Sequence, residues 1–500
     1  MPTMNNPMIH ASEIAAALQC EKKALFNREQ KAEPLLLPRR QEYNERLDQL
    51  LEPLHLPKGK RNDPASRSLN ILEQEKCGRS LRFEAWGIRT VIPLLFEKED
   101  GTYKAIYPVC STAPKDTLLP LLAIDSLIAQ ENGIKITDYE FLYLDKNYIR
   151  QKKPYNADFF TVSDHLKKVR GGMHSIKAIE QVEQMKEEIG AKRLAALARL
   201  LQHSKATQIP ALRKKACTSP QKCPWYEQCF HEDRLADNAS AFLSSSSCRS
   251  ELEQEGIERL GQVDALHLDG APLQYAQIMA DRYDGLFLDR SAIEKWMKQL
   301  VWPITYLDFE WDTFALAPYP GMKAFDVLCF QYSIHIEHED GRLEHSVFFS
   351  TGDCRKDFID HLLEEIPEKG SIMVFNMEGA EKLRLMQLAD QLEDKRKPLE
   401  ALCERMVDLQ IPFENGSFYD IRQRGRSSLK TLLPLLSRLD GYSQLNVHNG
   451  MEAVFAYRQA DASNDSLEKE TIAQRICDYC SMDTYAEREL FLGLKKKLEE

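Results

Sequence analysis

The chain of 500 residues carries 66 Lys and Arg against 77 Asp and Glu, a formal net charge of −11. That length exceeds one hydrophobic core, so two or three domains are expected. The acidic balance argues against nucleic-acid binding through bulk charge, while leaving room for a local basic groove. Apolar residues make up 43% of the sequence and charged residues 29%, with no uninterrupted apolar run of about 18 residues, which excludes a membrane-spanning helix. Met1-Pro-Thr-Met-Asn-Asn lacks the basic region and apolar run of a secretory signal, so a cytoplasmic protein with no membrane partner is expected. In that reducing setting the twelve cysteines are core thiols or metal ligands rather than disulfides.

In chain order, residues 1–235 open with an expected helix over 11–28. Strand-like runs follow at 81–86, 89–96, 103–109 and 139–145. Helical stretches are expected at 118–131, between the last two strands, and at 175–203. Residues 236–300 read as a polar helical linker module. Within it, Ala239-Ser-Ala-Phe-Leu-Ser-Ser-Ser-Ser-Cys248 has the composition of a linker or loop, and residues 256–263 read like the short helical turn of a small helix–turn–helix module. From residue 301 to 500, strand candidates at 304–310, 327–337 and 343–349 precede a helix near 355–366. A buried strand at 371–375 leads into a helix starting near 379, and further helices are expected at 427–439, 451–458 and 466–497. Strands first and strand–helix alternation afterwards give an α/β multidomain chain whose last part is a mixed sheet with flanking helices.

The chemistry concentrates in that last part. In Ile304-Thr-Tyr-Leu-Asp-Phe-Glu310, strand periodicity puts Asp308 and Glu310 on one face. In Tyr479-Cys-Ser-Met-Asp483, helical periodicity puts Tyr479 and Asp483 on one face. Paired carboxylates attract hard cations such as Mg²⁺ or Mn²⁺, and a tyrosine beside the last acid is placed to orient a water. Between them, Asn376-Met-Glu-Gly-Ala-Glu381 sets an acid at a strand-to-helix junction, and Asp408 in Met406-Val-Asp-Leu409 competes with Glu381 as third acid. Arg422, Arg424, Arg426 and Lys430 form the densest basic run nearby, either a backbone-tracking groove or a solvated loop. His335 is either a substrate contact or a structural histidine.

The order Asp-x-Glu, Asn-x-x-x-x-acid, Tyr-x-x-x-Asp resembles the tyrosine-containing DEDD exonucleases on a ribonuclease H-like fold. Residues 301–495 resemble more closely an uncharacterised bacterial domain family, through Leu307-Asp-Phe-Glu310, Pro320-Gly321, Phe330-Gln-Tyr-Ser-Ile-His335, Gly425-x-x-Ser428-Leu-Lys430 and Tyr479-Cys480. The resemblance implies that Asp308, Glu310, Glu381 and Asp483 bind two Mg²⁺ or Mn²⁺ ions, with Tyr479 positioning the attacking water. The implied reaction is 3′–5′ hydrolysis of phosphodiester bonds in single-stranded DNA or RNA. The usual third acid of the superfamily is Asp, and Glu381 departs from it.

Cys217, Cys223 and Cys229 lie at intervals of six, with Cys20 far upstream. Three close thiols, an adjoining proline and one distant partner suit a [4Fe–4S] cluster. Zinc is the alternative, although its usual short Cys-x-x-Cys hooks are missing. The one-plus-three pattern resembles RecB-like nucleases of the PD-(D/E)XK type, whose cluster joins the two ends of the domain. Those nucleases place Asp on one strand and Glu-x-Lys on the next. Here residues 90–96 carry no acid, and Pro108 and Cys110 stand where Glu and Lys are expected. Residues 1–235 therefore read as a degenerate, inactive RecB-like domain. Cys477 and Cys480 read as helix-core thiols. An inactive nucleic-acid-binding scaffold that keeps the cluster is the second functional reading.

Overall fold

The computed structural model describes residues 8–30, 38–218, 222–244, 246–439, 442 and 445–500. The chain is a mixed α/β protein of two compact units, Met1–Phe230 with Phe314–Phe325, and His231–Thr313 with Asp326–Glu500. Among the described residues no helix is long and apolar enough to cross a membrane.

The first unit contains, in order, β1 (Ile9–His10), α1 (Ala11–Gln19), α2 (Glu21–Gln30), α3 (Pro38–Leu51), α4 (Ala65–Glu75), β2 (Cys77–Ala85), β3 (Ile88–Glu97), β4 (Tyr103–Val109), α5 (Leu119–Glu131), β5 (Ile136–Leu144), β6 (Phe160–Ser163), α6 (Ala178–His203) and α7 (Tyr226–Phe230). Its six-stranded sheet runs β1-β3-β4-β5-β6, with β2 also pairing β3. The β4–β5 pair is parallel, as a strand–helix–strand crossover through α5 requires. Inward residues Leu81, Phe83, Ile92, Leu95, Ala105 and Phe141 share a core with Ile124, Ile128 and Leu194 of the helices.

The helix expected over 11–28 is two helices. His10 caps α1 in a reciprocal capping box with Glu13. Cys20 then turns extended (φ −161°, ψ 114°), its N–H closing on the Ala16 carbonyl. Ala24 N–H bonds the Cys20 carbonyl in turn, so the break starts α2. Periodicity misses the break because buried residues continue on both sides, Ile14 and Ala17 before it, Ala24 and Leu25 after.

The second unit contains α8 (Ser246–Gln254), α9 (Pro272–Arg282), β7 (Leu286–Leu288), α10 (Arg290–Met297), β8 (Ile304–Thr313), β9 (Val327–Glu337), β10 (Leu343–Phe349), α11 (Arg355–Glu365), β11 (Ser371–Val374), α12 (Glu381–Gln391), α13 (Arg396–Cys403), β12 (Met406–Asp408), α14 (Ile411–Glu414), β13 (Phe418–Asp420), α15 (Leu429–Leu436), α16 (Gly450–Ala462) and α17 (Ser466–Glu499). The five-stranded sheet runs β10-β9-β8-β11-β12, antiparallel through β10, β9 and β8 and parallel beyond. Leu307, Phe309, Tyr332, Ile334 and Ile336 pack one face against α11, α12 and α13. Ile304, Tyr306 and Met373 pack the other against α15 and α17. Each fully buried side chain of this size contributes about 1.5–3 kcal/mol.

One expectation for residues 236–300 is corrected. Ser240 and Phe242 are buried in a 3₁₀ turn; Ser240 Oγ donates to the Ile257 carbonyl at 2.5 Å and Gln277 Nε2 to the Phe242 carbonyl at 2.7 Å. A serine-rich composition hides these contacts, so this part of the expected linker is packed. Residues 256–263 hold a short helical turn, the 3₁₀ turn Leu260–Gln262. Gly425 (φ +71°) lies where an added Cβ would fall 2.5 Å from the Phe242 carbonyl oxygen, which explains the glycine opening Gly425-x-x-Ser428.

Candidate active site

Strand β8 carries Asp308 and Glu310 toward α16 and α17. The β8–β9 register places Ser333 opposite Asp308 and Gln331 opposite Glu310, then slips at Phe330, a β-bulge beside the acids. Helix α17 brings Tyr479, Cys480, Asp483 and Glu487 to the same side. Asp308, Glu310 and Asp483 keep partial access to solvent, whereas Glu381 and Glu487 are each 2% exposed.

Burial raises Asp308 to about 6, opposed by the Cys480 thiol and the Phe309 N–H. Burial and then the Asp308 charge raise Asp483 to about 7, opposed by Tyr442, Lys430 and Tyr479. Burial, Asp308 and Asp483 push Glu310 well up, with Lys430 pulling the other way. These acids feel one another, so the sequence-derived pairs on β8 and α17 belong to one site.

The structure also separates the two candidates for the third acid. Asp408 is consumed by backbone: Oδ1 accepts from Asn376 N (3.1 Å) and Gln410 N (2.9 Å), and Oδ2 from Met377 N (2.9 Å). Glu381, the first residue of α12, has Oε2 buried without a hydrogen-bond partner among the described residues. Burial and then Asp308 dominate the upward shift of its pKa. Of the two, Glu381 is the one that keeps a carboxylate oxygen without a hydrogen-bond partner among the described residues.

Three participants were not legible as such, and a fourth, Lys430, belongs to the basic run already read in the sequence. Tyr442 donates to Asp483 Oδ1 at 2.5 Å, and the Tyr479 hydroxyl, one helical turn before Asp483, is pushed up by burial and by that acid's charge. Lys430 Nζ sits 5.0 Å from each of the Tyr442 and Tyr479 ring centres and donates to the His448 carbonyl at 2.5 Å. Gly450, at the start of α16, leaves only 3.2 Å between a would-be Cβ and Glu310 Oε2. Glu487 continues the four-residue spacing of Tyr479 and Asp483.

Other expectations resolve differently. Of the basic run, Arg422 is bound bidentately by Asp420 (2.9 and 2.5 Å), and Arg424 pairs Asp237 at 3.1 Å and lies over Phe242. Both are tied to acids of their own unit, Arg422 with its side chain still 57% exposed, while Lys430 lies beside Tyr442 and Tyr479. His335 is structural: its Nδ1 is 2.8 Å from Thr484 Oγ1, and its ring stacks on His345 at 4.2 Å. Cys480 is more than a core thiol, since its Sγ reaches Asp308 Oδ2.

Cation fit follows from the donor set. The acids offer hard oxygen ligands, and Glu381 Oε2, Glu487 Oε2 and both amide atoms of Gln331 are buried without hydrogen-bond partners among the described residues. Among the described residues no three His, Cys, Asp or Glu side chains already form a metal cage. Asp308 Oδ2 accepts from Cys480 and Asp483 Oδ1 from Tyr442, bonds that orient both carboxylates.

In the first unit Cys20, Cys217, Cys223 and Cys229 line one cavity of about 370 Å³, with Lys22, Lys23, Arg193 and Lys214 around it. Cys229 is raised chiefly by burial, and it feels the other three thiols. The break at Cys20 aims that residue into the cavity. Trp225 anchors the other segment, stacking on Phe26 at 5.3 Å and donating to Asn27 Oδ1 at 2.6 Å. Residues 219–221 of the loop lie outside the described residues. Four sulfur donors ringed by cations suit an anionic thiolate centre.

On the neighbouring strands, Thr90 and Tyr107 both donate to the buried Asp125 of α5, Tyr107 at 2.7 Å. Burial raises this acid to about 7, against those two donors. Cys110 lies past the end of β4, so it does not share the strand register expected for it.

Residues 305–428 match a family described as a domain of unknown function (DUF2779). None of the curated proteins matches the chain.

Proposed function

We propose that the chain is a metal-dependent 3′–5′ exonuclease acting on single-stranded DNA or RNA, its second unit a ribonuclease H-like catalytic domain. The observation that carries the reading is the meeting of Asp308 and Glu310 from β8 with Asp483 from α17, and with Glu381 behind them. Two Mg²⁺ or Mn²⁺ ions, when bound, supply an acidified water and neutralise charge on the phosphate. Asp308, Glu310, Glu381 and Asp483 would hold them. Tyr479, one helical turn before Asp483, orients water at the rim. Lys430 lends the site its nearby positive charge and is placed to meet a flanking phosphate.

The first unit reads as a RecB-like platform that has lost its nuclease site and kept a [4Fe–4S] cluster on Cys20, Cys217, Cys223 and Cys229, with zinc as the alternative. Thr90 and Tyr107, neutral and spent on Asp125, support the loss of that site. The second functional reading, a cluster-bearing scaffold inactive in both domains, is favoured by one observation: Arg422 and Arg424 are committed to Asp420 and Asp237.

Purified protein with end-labelled single-stranded DNA and RNA decides between them. Stepwise shortening from the 3′ end with Mn²⁺, abolished by EDTA and by Asp308→Ala, supports the exonuclease. Activity unchanged in Asp308→Ala ends that proposal, and no cleavage of either strand type favours the scaffold.

A further inference from the structure

Helix α17 presents Tyr479, Asp483 and Glu487 at successive intervals of four, so the three share one face. Glu487 is 2% exposed and its Oε2 has no hydrogen-bond partner among the described residues. The basic residue beside it is turned away, since Arg488 pairs Glu337 at 2.8 Å and Glu489 at 3.1 Å. The charges that reach Glu487 are those of other acids, Asp308 foremost, then Glu381, Asp483 and Asp408. A purely structural residue here would be apolar, as Ala486, Leu490 and Leu494 are. A buried carboxyl without donor or counter-charge is costly to keep unless something outside the chain satisfies it. Glu381 Oε2 is in the same condition. The two come from α12 and α17, which pack on opposite faces of the sheet, and both feel Asp308.

We infer that Glu487 is a fifth cation-binding carboxylate, forming with Glu381 the closed floor of a cleft whose solvent-facing acids are Asp308, Glu310 and Asp483. The inference rests on reading those three as cation ligands. It adds an acid that Tyr-x-x-x-Asp does not contain, and it gives the cleft more anionic oxygen than four carboxyls supply. Hard divalent ions, Mg²⁺ or Mn²⁺, are the class such donors select.

The test needs no nucleic acid. Full-length protein stripped with EDTA is titrated with Mn²⁺, and free Mn²⁺ is followed by its electron paramagnetic resonance signal. Glu487→Gln keeps shape and loses charge; a melting transition in EDTA verifies that it folds, and Glu487→Leu replaces it if it does not. The expected result is Mn²⁺ binding at least tenfold weaker than wild type, or one equivalent fewer. Binding equal to wild type in the folded variant overturns the role of Glu487. Asp308→Asn separates the two levels: if it weakens binding and Glu487→Gln does not, only Glu487 is misassigned. If wild type itself takes up no Mn²⁺, the cation reading of the whole cleft falls with it.

Discussion

Cys480 Sγ lies 2.9 Å from Asp308 Oδ2 and 3.2 Å from the Asp308 carbonyl oxygen, so a helix thiol donates to the leading acid of the strand. Burial and the Asp308 charge push this thiol well up, which keeps it a protonated donor. Hydrogen bonds to charged groups contribute about 1.5–3 kcal/mol. Cys480→Ser retains a donor and should cost little activity. Cys480→Val should lower kcat by about 10–100-fold, by freeing Asp308 from its orientation. Equal rates in Ser and Val variants would show that the thiol does not orient Asp308.

The metal-free protein should lose stability as pH rises from about 4 to about 7. Asp308 and Asp483 are raised from 3.8 to about 6 and about 7. Between those values the folded chain binds more protons than the unfolded one, so raising pH favours unfolding. The sum is on the order of a few kcal/mol, reduced by the partial solvent access of both acids. Mn²⁺ binds the ionised carboxylates and should stabilise more at pH 8 than at pH 5. Urea midpoints at both pH values, with EDTA or Mn²⁺, check the sign.

Sequence pattern reached the outer acids because period two and period four are local rules. It favoured Glu381 over Asp408 from its place at the strand-to-helix junction, but the backbone N–H groups of Asn376, Met377 and Gln410 that hold Asp408 were not legible there. Tyr442 meets Asp483 across 41 residues, and no spacing rule encodes that contact. Glu487 had a signal, the four-residue spacing continued once more. The β7–β13 ribbon had none: its two strands are three residues each and pair across the whole sheet sequence. Within the basic run, Asp420 and Asp237, the partners of Arg422 and Arg424, became visible only in the fold.

Anaerobically purified protein should be brown, with broad visible absorption from thiolate-to-iron transitions, and Cys20→Ser should bleach it. Cys20 also tethers the α1–α2 break to a loop nearly two hundred residues later, so losing the centre restores loop-closure freedom to the unfolded chain. The first unit should then unfold at lower denaturant concentration, while the Mn²⁺ affinity of the second stays unchanged. Colourless protein with one zinc per chain would replace the iron–sulfur assignment by the tetrahedral alternative.

Two tyrosines address Asp483, and they should not be equivalent. Tyr442 makes a 2.5 Å bond to Oδ1, and its ring and that of Tyr479 flank Lys430 at equal distance. Both hydroxyls are pushed up, chiefly by burial and then by Asp483, so both remain donors at neutral pH. Tyr479 is the residue assigned to water at the rim, whereas Tyr442 reaches the reaction only through Asp483. Tyr479→Phe should therefore lower kcat with little change in Mn²⁺ affinity, and less severely than Asp308→Ala. Tyr442→Phe should release Asp483 Oδ1 for cation binding and shift Mn²⁺ affinity, with the rate at saturating Mn²⁺ changed less. Paired Mn²⁺ titrations and single-turnover rates for the two variants measure the split. Identical effects on both quantities would show that the tyrosines act as one hydrogen-bonding unit on Asp483 rather than in separate roles.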